Sequence, residues 1–208
     1  MAAGDGHLTL TIVQMLKLVI PPRLAQEFAT IESLWISGAE TRRVDSLLLA
    51  WVKHEKQLRR LFCFLVYQHP KITSASINSV VTAMAQRNDL YPDTFVRGIE
   101  ALGVKPVPVL VGPMYAQLKT EVARIKKYRN KLMHGQATGQ AIQSRQLGED
   151  VKWLIEWVNA LAVGADTEFG YDGLRRNTFK AAKASANISV ATYPFTSPAT
   201  FRTWLKTV

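Results

Sequence analysis

Apolar side chains recur at steps of three and four residues through most of this chain, and that spacing admits few folds. Leu47, Trp51, His54, Leu58, Leu61 and Leu65 form one seam, and Leu118, Val122, Ile125, Arg129 and Leu132 a second. Leu147, Val151, Leu154, Val158 and Leu161 form a third. Such steps put side chains on one face of an α-helix, whereas a half-buried strand alternates. Strand patterning is almost absent. The spacing predicts an all-α fold, a helical bundle. Trp153, Ile155 and Trp157 make the third helix apolar nearly all round, which predicts a central position for it.

Prolines and glycines set the expected boundaries. Segment 8–20 is apolar and reads as helix up to Pro21-Pro22. Leu24, Phe28, Ile31 and Trp35 mark the next helix, with Gly38 at its end. A long helix should run from about Arg42 to Gln68, where His69-Pro70 stops it, because the residue before a proline resists helical geometry. Ile77, Val80, Val81 and Met84 predict a short helix. Phe95, Ile99 and Leu102 predict another, with Asp93 as its N-cap and Gly103 just past its end. Residues 104–111 contain Pro106 and Pro108 and read as an extended connector. Pro113 suits the first turn of a helix reaching Met133. A polar loop, 135–143, separates it from the third seam, which Ser144 caps and Gly164 closes.

Charge narrows the partners. The chain has 208 residues, enough for one domain with a real core. Its formal net charge of +10 points to an anionic partner, either nucleic acid or an acidic protein. The expected organisation is a helical domain over 1–165 and a basic, loop-rich C-terminal arm over 166–208. From Leu174 onward there are six Lys/Arg (Arg175, Arg176, Lys180, Lys183, Arg202, Lys206) and no Asp or Glu. That segment is either an arm packed on the bundle by Phe179, Phe195, Phe201 and Trp204, or a basic surface that tracks phosphates. The one cysteine, Cys63, excludes an internal disulfide and fits a reducing cytosol. It reads as a small core residue rather than a nucleophile. No apolar run reaches membrane-spanning length, and Met1 to His7 carries Asp5 without Lys or Arg, unlike a secretory signal. A cytoplasmic location is expected.

Two seams are interrupted by a polar side chain. In the 42–68 helix the interruption is His54, with Glu55 beside it; in the next seam it is Arg129. A buried charge costs several kcal/mol unless it is paired. Arg129 therefore calls for an acidic partner, an exposed cleft or a phosphate. Glu55 is a natural partner, either in a plain core salt bridge or in a pair that leaves one guanidinium edge for a ligand. Five residues after Arg129, at the end of the same helix, comes His134, in the run Arg129-Asn130-Lys131-Leu132-Met133-His134. Arginine can hold a phosphate by a two-pronged contact, and histidine moves protons near neutral pH. Together they suggest chemistry on a phosphodiester, most naturally RNA, whose 2′-hydroxyl is its own nucleophile. The four histidines (7, 54, 69 and 134) and Cys63 lack the ligand spacings of known metal sites, and there is no Walker loop or dinucleotide fingerprint. No metal or other cofactor is expected. Asp172-Gly173 reads as a turn.

The run Arg129-Asn130-Lys131-Leu132-Met133-His134, with a long helix before it and an apolar helix after it, resembles the signature of the HEPN superfamily over roughly residues 40–165. The resemblance implies a HEPN-like helical bundle, often a homodimer with both motifs facing one cleft. It also implies a metal-independent ribonuclease, a toxin of a toxin–antitoxin or anti-phage defence system or an RNA-processing enzyme, with an antitoxin or regulatory protein as a further partner. The motif roles would fall on Arg129 and His134 as catalytic groups and on Asn130 as the polar residue that orients the site. Glu55 or His54 would match a polar residue on an earlier helix. Lys126, Lys127, Lys131, Arg175, Arg176, Lys180 and Lys183 are candidate RNA contacts. Gln136 stands where one subgroup has a tyrosine controlled by modification, so that control is not expected here. The competing expectations are a non-catalytic HEPN-like module binding RNA, a nucleotide or a protein, and a helical interaction protein in which Arg129 and Glu55 are structural.

Overall fold

A computed structural model describes residues 17–37, 40–87, 89–134, 142–176, 178–184 and 193–208. After a 3-10 turn at Pro22–Leu24, the helices are α1 (Ala25–Ile36), α2 (Glu40–Tyr67), α3 (Ile77–Ala85), α4 (Pro92–Ala101), α5 (Val107–Val111), α6 (Tyr115–Met133), α7 (Ser144–Phe169), α8 (Phe179–Ala184) and α9 (Pro198–Leu205). No strand occurs among the described residues, so the fold is all-α. Residues 8–16, Gly38, the loop 135–141 with Gln136, and the side chains of Ser144 and Lys183 carry sequence expectations but lie outside what is described.

Several boundaries differ from the sequence expectation. Residues 17–20 are not helical. Residues 107–111 form α5 instead of an extended connector. Its prolines lie before and inside the first turn, where a missing N–H loses no helical bond, and Val107, Leu110 and Val111 are buried. Gly112, with φ of 81°, ends it. In α4 the N-cap is Tyr91 and Pro92 opens the helix, so Asp93 is a first-turn acid and not the cap. α6 begins at Tyr115, two residues beyond Pro113. Ser144 is itself the first residue of α7. Gly164 does not close α7, which continues to Phe169. A Cβ on Gly164 would lie 2.0 Å from the Leu110 carbonyl oxygen, so the glycine serves close approach of α5.

The chain forms two compact units, one from Met1–Lys53 and Ala116–Asn159, the other from His54–Tyr115 and Ala160–Val208. In the first, α1 buries Phe28, Ile31 and Trp35, and the N-terminal half of α2 buries Leu47, Ala50 and Trp51. The Ser46 hydroxyl donates to the Ile31 carbonyl at 3.3 Å, and Lys53 pairs with Glu27 at 2.6 Å. Gly148 of α7 lets Trp35 approach, since a Cβ there would lie 3.0 Å from the indole. Leu118, Ile125 and Tyr128 of α6 and Leu147, Val151, Leu154, Trp157 and Val158 of α7 complete this core.

The second unit is aromatic. Phe62 meets Phe95 and Trp204 with ring centroids 5.7 and 6.1 Å apart, and Phe195 meets Phe201 at 5.1 Å. Gly98 fits against Phe62, where a Cβ would lie 2.6 Å away. Phe195 and Phe201 are fully buried, each stabilising by about 1.5–3 kcal/mol, so the C-terminal segment is part of this core. The buried His69 ring binds the segment as well. Its Nδ1 accepts from the Lys71 N–H at 3.0 Å, and its Nε2 lies 2.9 Å from the Phe195 carbonyl oxygen. Gln57 donates to the Asp172 carbonyl at 3.0 Å, and the Asp172 carboxylate accepts from the Leu174 N–H at 3.0 Å. Asp172-Gly173 is a turn, with Gly173 at φ 76°.

Candidate functional site

The motif lies at the C-terminal end of α6, where strong helix formers such as Ala123, Lys126, Lys127 and Leu132 carry the chain to Met133. The helix closes on the His134 N–H, which is shared between the carbonyls of Asn130 and Lys131 at 3.2 Å each. Sharing one N–H between carbonyls three and four residues back is a common way for a helix to tighten at its end. The His134 side chain is exposed, as is Asn130.

Arg129 is half-buried. Its guanidinium carbon stands 5.0 Å from the centroid of the Trp51 ring on α2. Its Nη1 donates to Asn130 Oδ1 at 2.8 Å. A cation over an indole face at this distance is stabilised by about 0.5–2 kcal/mol, more as the pair is desolvated. Trp51 is only 1% exposed, so the ring that carries Arg129 is fixed in the core of this unit. Arginine keeps its charge at any physiological pH, and its donors lie in one plane.

A buried carboxylate ties α6 to α7. Asp150 of α7 has no solvent exposure. It accepts from the Tyr128 hydroxyl on Oδ2, and from Arg124 and Gln146 on Oδ1, the last at 2.8 Å. Arg124 also pairs with Glu121 at 2.8 Å. Burial, with the bond to Asp150, pushes the Tyr128 phenol well above its ordinary value, so it stays protonated and donating. Tyr128 directly precedes Arg129, so this clamp ties α6 to α7 beside the motif.

The other sequence candidates are distributed as follows. Lys126 is half-buried and Lys127 and Lys131 exposed on the last turns of α6. His54 is buried and Glu55 half-buried on the part of α2 that belongs to the second unit. Arg175, Arg176 and Lys180 are exposed in that unit. Arg175 is engaged there by Asp166 at 3.6 Å and Asp172 at 3.5 Å. Arg202 donates to Gln86. Cys63 is half-buried with its sulfur 3.6 Å from that of Met84, and desolvation pushes its thiol up to about 12, which leaves no thiolate for nucleophilic work. Among the described residues, no three His, Cys, Asp or Glu side chains come together as a metal site would require. No described helix is long and apolar enough to cross a membrane.

Sequence reasoning missed Trp51, Tyr128, Arg124, Gln146 and Asp150 as parts of this neighbourhood. A signal for the clamp was present: Arg124 and Tyr128, and likewise Gln146 and Asp150, are polar pairs four residues apart, on one face of each helix. No known protein family, characterised protein or solved structure matches the chain.

Proposed function

We propose that this chain is a metal-independent endoribonuclease of the HEPN type, acting as a toxin or anti-phage effector. The observation that carries the reading is the half-buried Arg129, in contact with Trp51 and Asn130, on the helix whose end bears the exposed His134. In this mechanism the RNA 2′-hydroxyl attacks the adjacent phosphorus while an imidazole takes its proton. Arg129 stabilises the extra negative charge of the pentacoordinate phosphorane. The bond to the 5′-oxygen then breaks with proton delivery to that oxygen. The products are a 2′,3′-cyclic phosphate and a 5′-hydroxyl. Asn130 orients the guanidinium. Lys126, Lys127 and Lys131 supply phosphate contacts beside the motif, and Arg176, Lys180 and Lys183 add to salt-dependent affinity.

Five residues of helix turn about 140° and rise about 7.5 Å, so Arg129 and His134 of one copy do not share a face. One imidazole also serves only one of the two proton transfers. A two-fold homodimer that brings a second His134 to the same cleft resolves both points. The same offset favours a second reading, a HEPN-like module that binds RNA, a nucleotide or a protein without cutting.

Incubation with RNA in EDTA separates the two. Cleavage by the wild type, lost in His134→Ala and Arg129→Ala, supports the enzyme. Cleavage that needs added Mg²⁺ or Mn²⁺, or products with 3′-hydroxyl ends, would refute the mechanism. A small antitoxin gene beside the coding sequence would support the toxin assignment.

A further inference from the structure

We infer that Trp51 is a positioning residue for Arg129, the group whose aromatic face sets the plane in which the guanidinium meets a phosphate. The inference rests on the ribonuclease reading for what Arg129 does, but the contact itself is geometric. The guanidinium carbon is 5.0 Å from the indole centroid, inside the range of a cation–π contact. The indole is 1% exposed and lies on a helix buried at Leu47, Ala50 and Trp51. A ring enclosed in that way does not yield when an anion pulls on the arginine.

The chemistry of the contact suits the task. Arginine has five N–H donors, all in the guanidinium plane. An aromatic face touches that plane from above and consumes none of them. It also brings no negative charge, so this contact steadies the guanidinium without offsetting the field a phosphate must feel. Asn130 accepts from Nη1 at 2.8 Å and fixes the rotation that the ring contact leaves open. The ring contact bears on the tilt of the plane and the Asn130 bond on its heading. A two-pronged phosphate contact needs both.

Packing alone predicts something different from this role, and the two can be told apart. Tryptophan carrying one, two or three ring fluorines at position 51 keeps nearly the same shape while its face becomes progressively less negative. The expected result is a stepwise fall in kcat for a short RNA substrate, about fivefold across the series, which corresponds to a cation–π contact of about 1 kcal/mol. The thermal midpoint should fall by no more than about 2–4 °C, as the loss of about 1 kcal/mol requires. Trp51→Phe should fall between wild type and Trp51→Leu. A flat series, with Arg129→Ala inactive, overturns the positioning role and leaves the ribonuclease reading intact.

A second readout uses the protein alone. The Arg129 Nε–H resonance should be shifted by the indole ring current and should move in Trp51→Leu. An unmoved resonance overturns the inference whether or not RNA is cut. A moved resonance in a protein that cuts no RNA supports the inference about position and refutes the enzymatic reading.

Discussion

Replacing Asp150 by alanine would remove the acceptor that Tyr128, Arg124 and Gln146 share. The carboxylate has no solvent exposure, and the Tyr128 hydroxyl that donates to it lies in the same buried contact between α6 and α7. Removing one partner of a buried charged cluster costs about 3–5 kcal/mol, because the remaining polar groups stay desolvated. Here the cost belongs near the lower end. The Arg124 side chain is 39% exposed and retains Glu121, so water and that carboxylate take up part of its charge. The expected loss is about 3 kcal/mol. A domain of this size shifts its thermal midpoint by about 2–4 °C per kcal/mol, so the midpoint should fall by about 6–12 °C. Tyr128→Phe removes one donor and leaves Asp150 with two, which should cost about 1–2 kcal/mol. The double variant should lose less than the sum, since both changes break the same bond. Helical circular dichroism during heating and in urea measures all three. A midpoint for Asp150→Ala within 2 °C of wild type, or strict additivity, would refute the clamp.

Other outcomes follow from the same geometry. His134→Ala should keep the wild-type midpoint, because the side chain is exposed, yet reduce RNA cleavage by about 10²–10⁴; wild-type cleavage would remove His134 from the mechanism. Gly164→Ala should destabilise by about 2 kcal/mol or more despite alanine's better helix propensity, since its Cβ would meet the Leu110 carbonyl at 2.0 Å; a raised urea midpoint would contradict this. Desolvation lifts the phenols of Tyr67 and Tyr171 to about 12 from an ordinary 10.0. Raised folded values favour the neutral form, so their contribution is complete below about pH 10 and is lost as pH climbs through about 12. Ultraviolet titration should show both ionising only there, and normal titration near 10 would refute the burial. Light scattering should report a homodimer, with RNA affinity falling steeply between low and physiological salt; a monomer that cuts at the full rate would eliminate the composite site.

Seam spacing alone located most of the helices, because period and burial are linked through one face of each helix. Leu47, Trp51, His54, Leu58, Leu61 and Leu65 are all buried as their spacing required. So are Leu147, Val151, Leu154, Val158 and Leu161. Pro106, Pro108 and Gly164 misled for one reason: the local preferences of proline and glycine admit more than one use. Pro106 and Pro108 suggest extension, yet both sit where a helix start tolerates them. Gly164 suggests a stop, yet its use is to admit the backbone of α5, a tertiary fact that no local pattern carries.

The sequence singled out the ionisable residues of the candidate site but not the contacts around them. Arg129 interrupts its seam, and an interrupted seam is visible in sequence. The sequence called for an acidic partner, an exposed cleft or a phosphate, because a buried charge is costly unless it is paired. Within its own unit Arg129 also meets a tryptophan that the same spacing had assigned to the core. Both assignments of Trp51 hold together: one edge fills the interior while a face carries the cation, as suits a side chain with a large apolar body and a negative π-surface. Seam arithmetic reports which face of a helix is inward and is silent about which inward ring meets which polar neighbour. That pairing depends on how α6 is rotated, and one tie on that rotation is Asp150, a residue whose role appears only once Tyr128, Arg124 and Gln146 are seen to converge on it. Tyr128 and Arg129 are neighbours on that helix, so the buried carboxylate that holds the one bears on where the other can point.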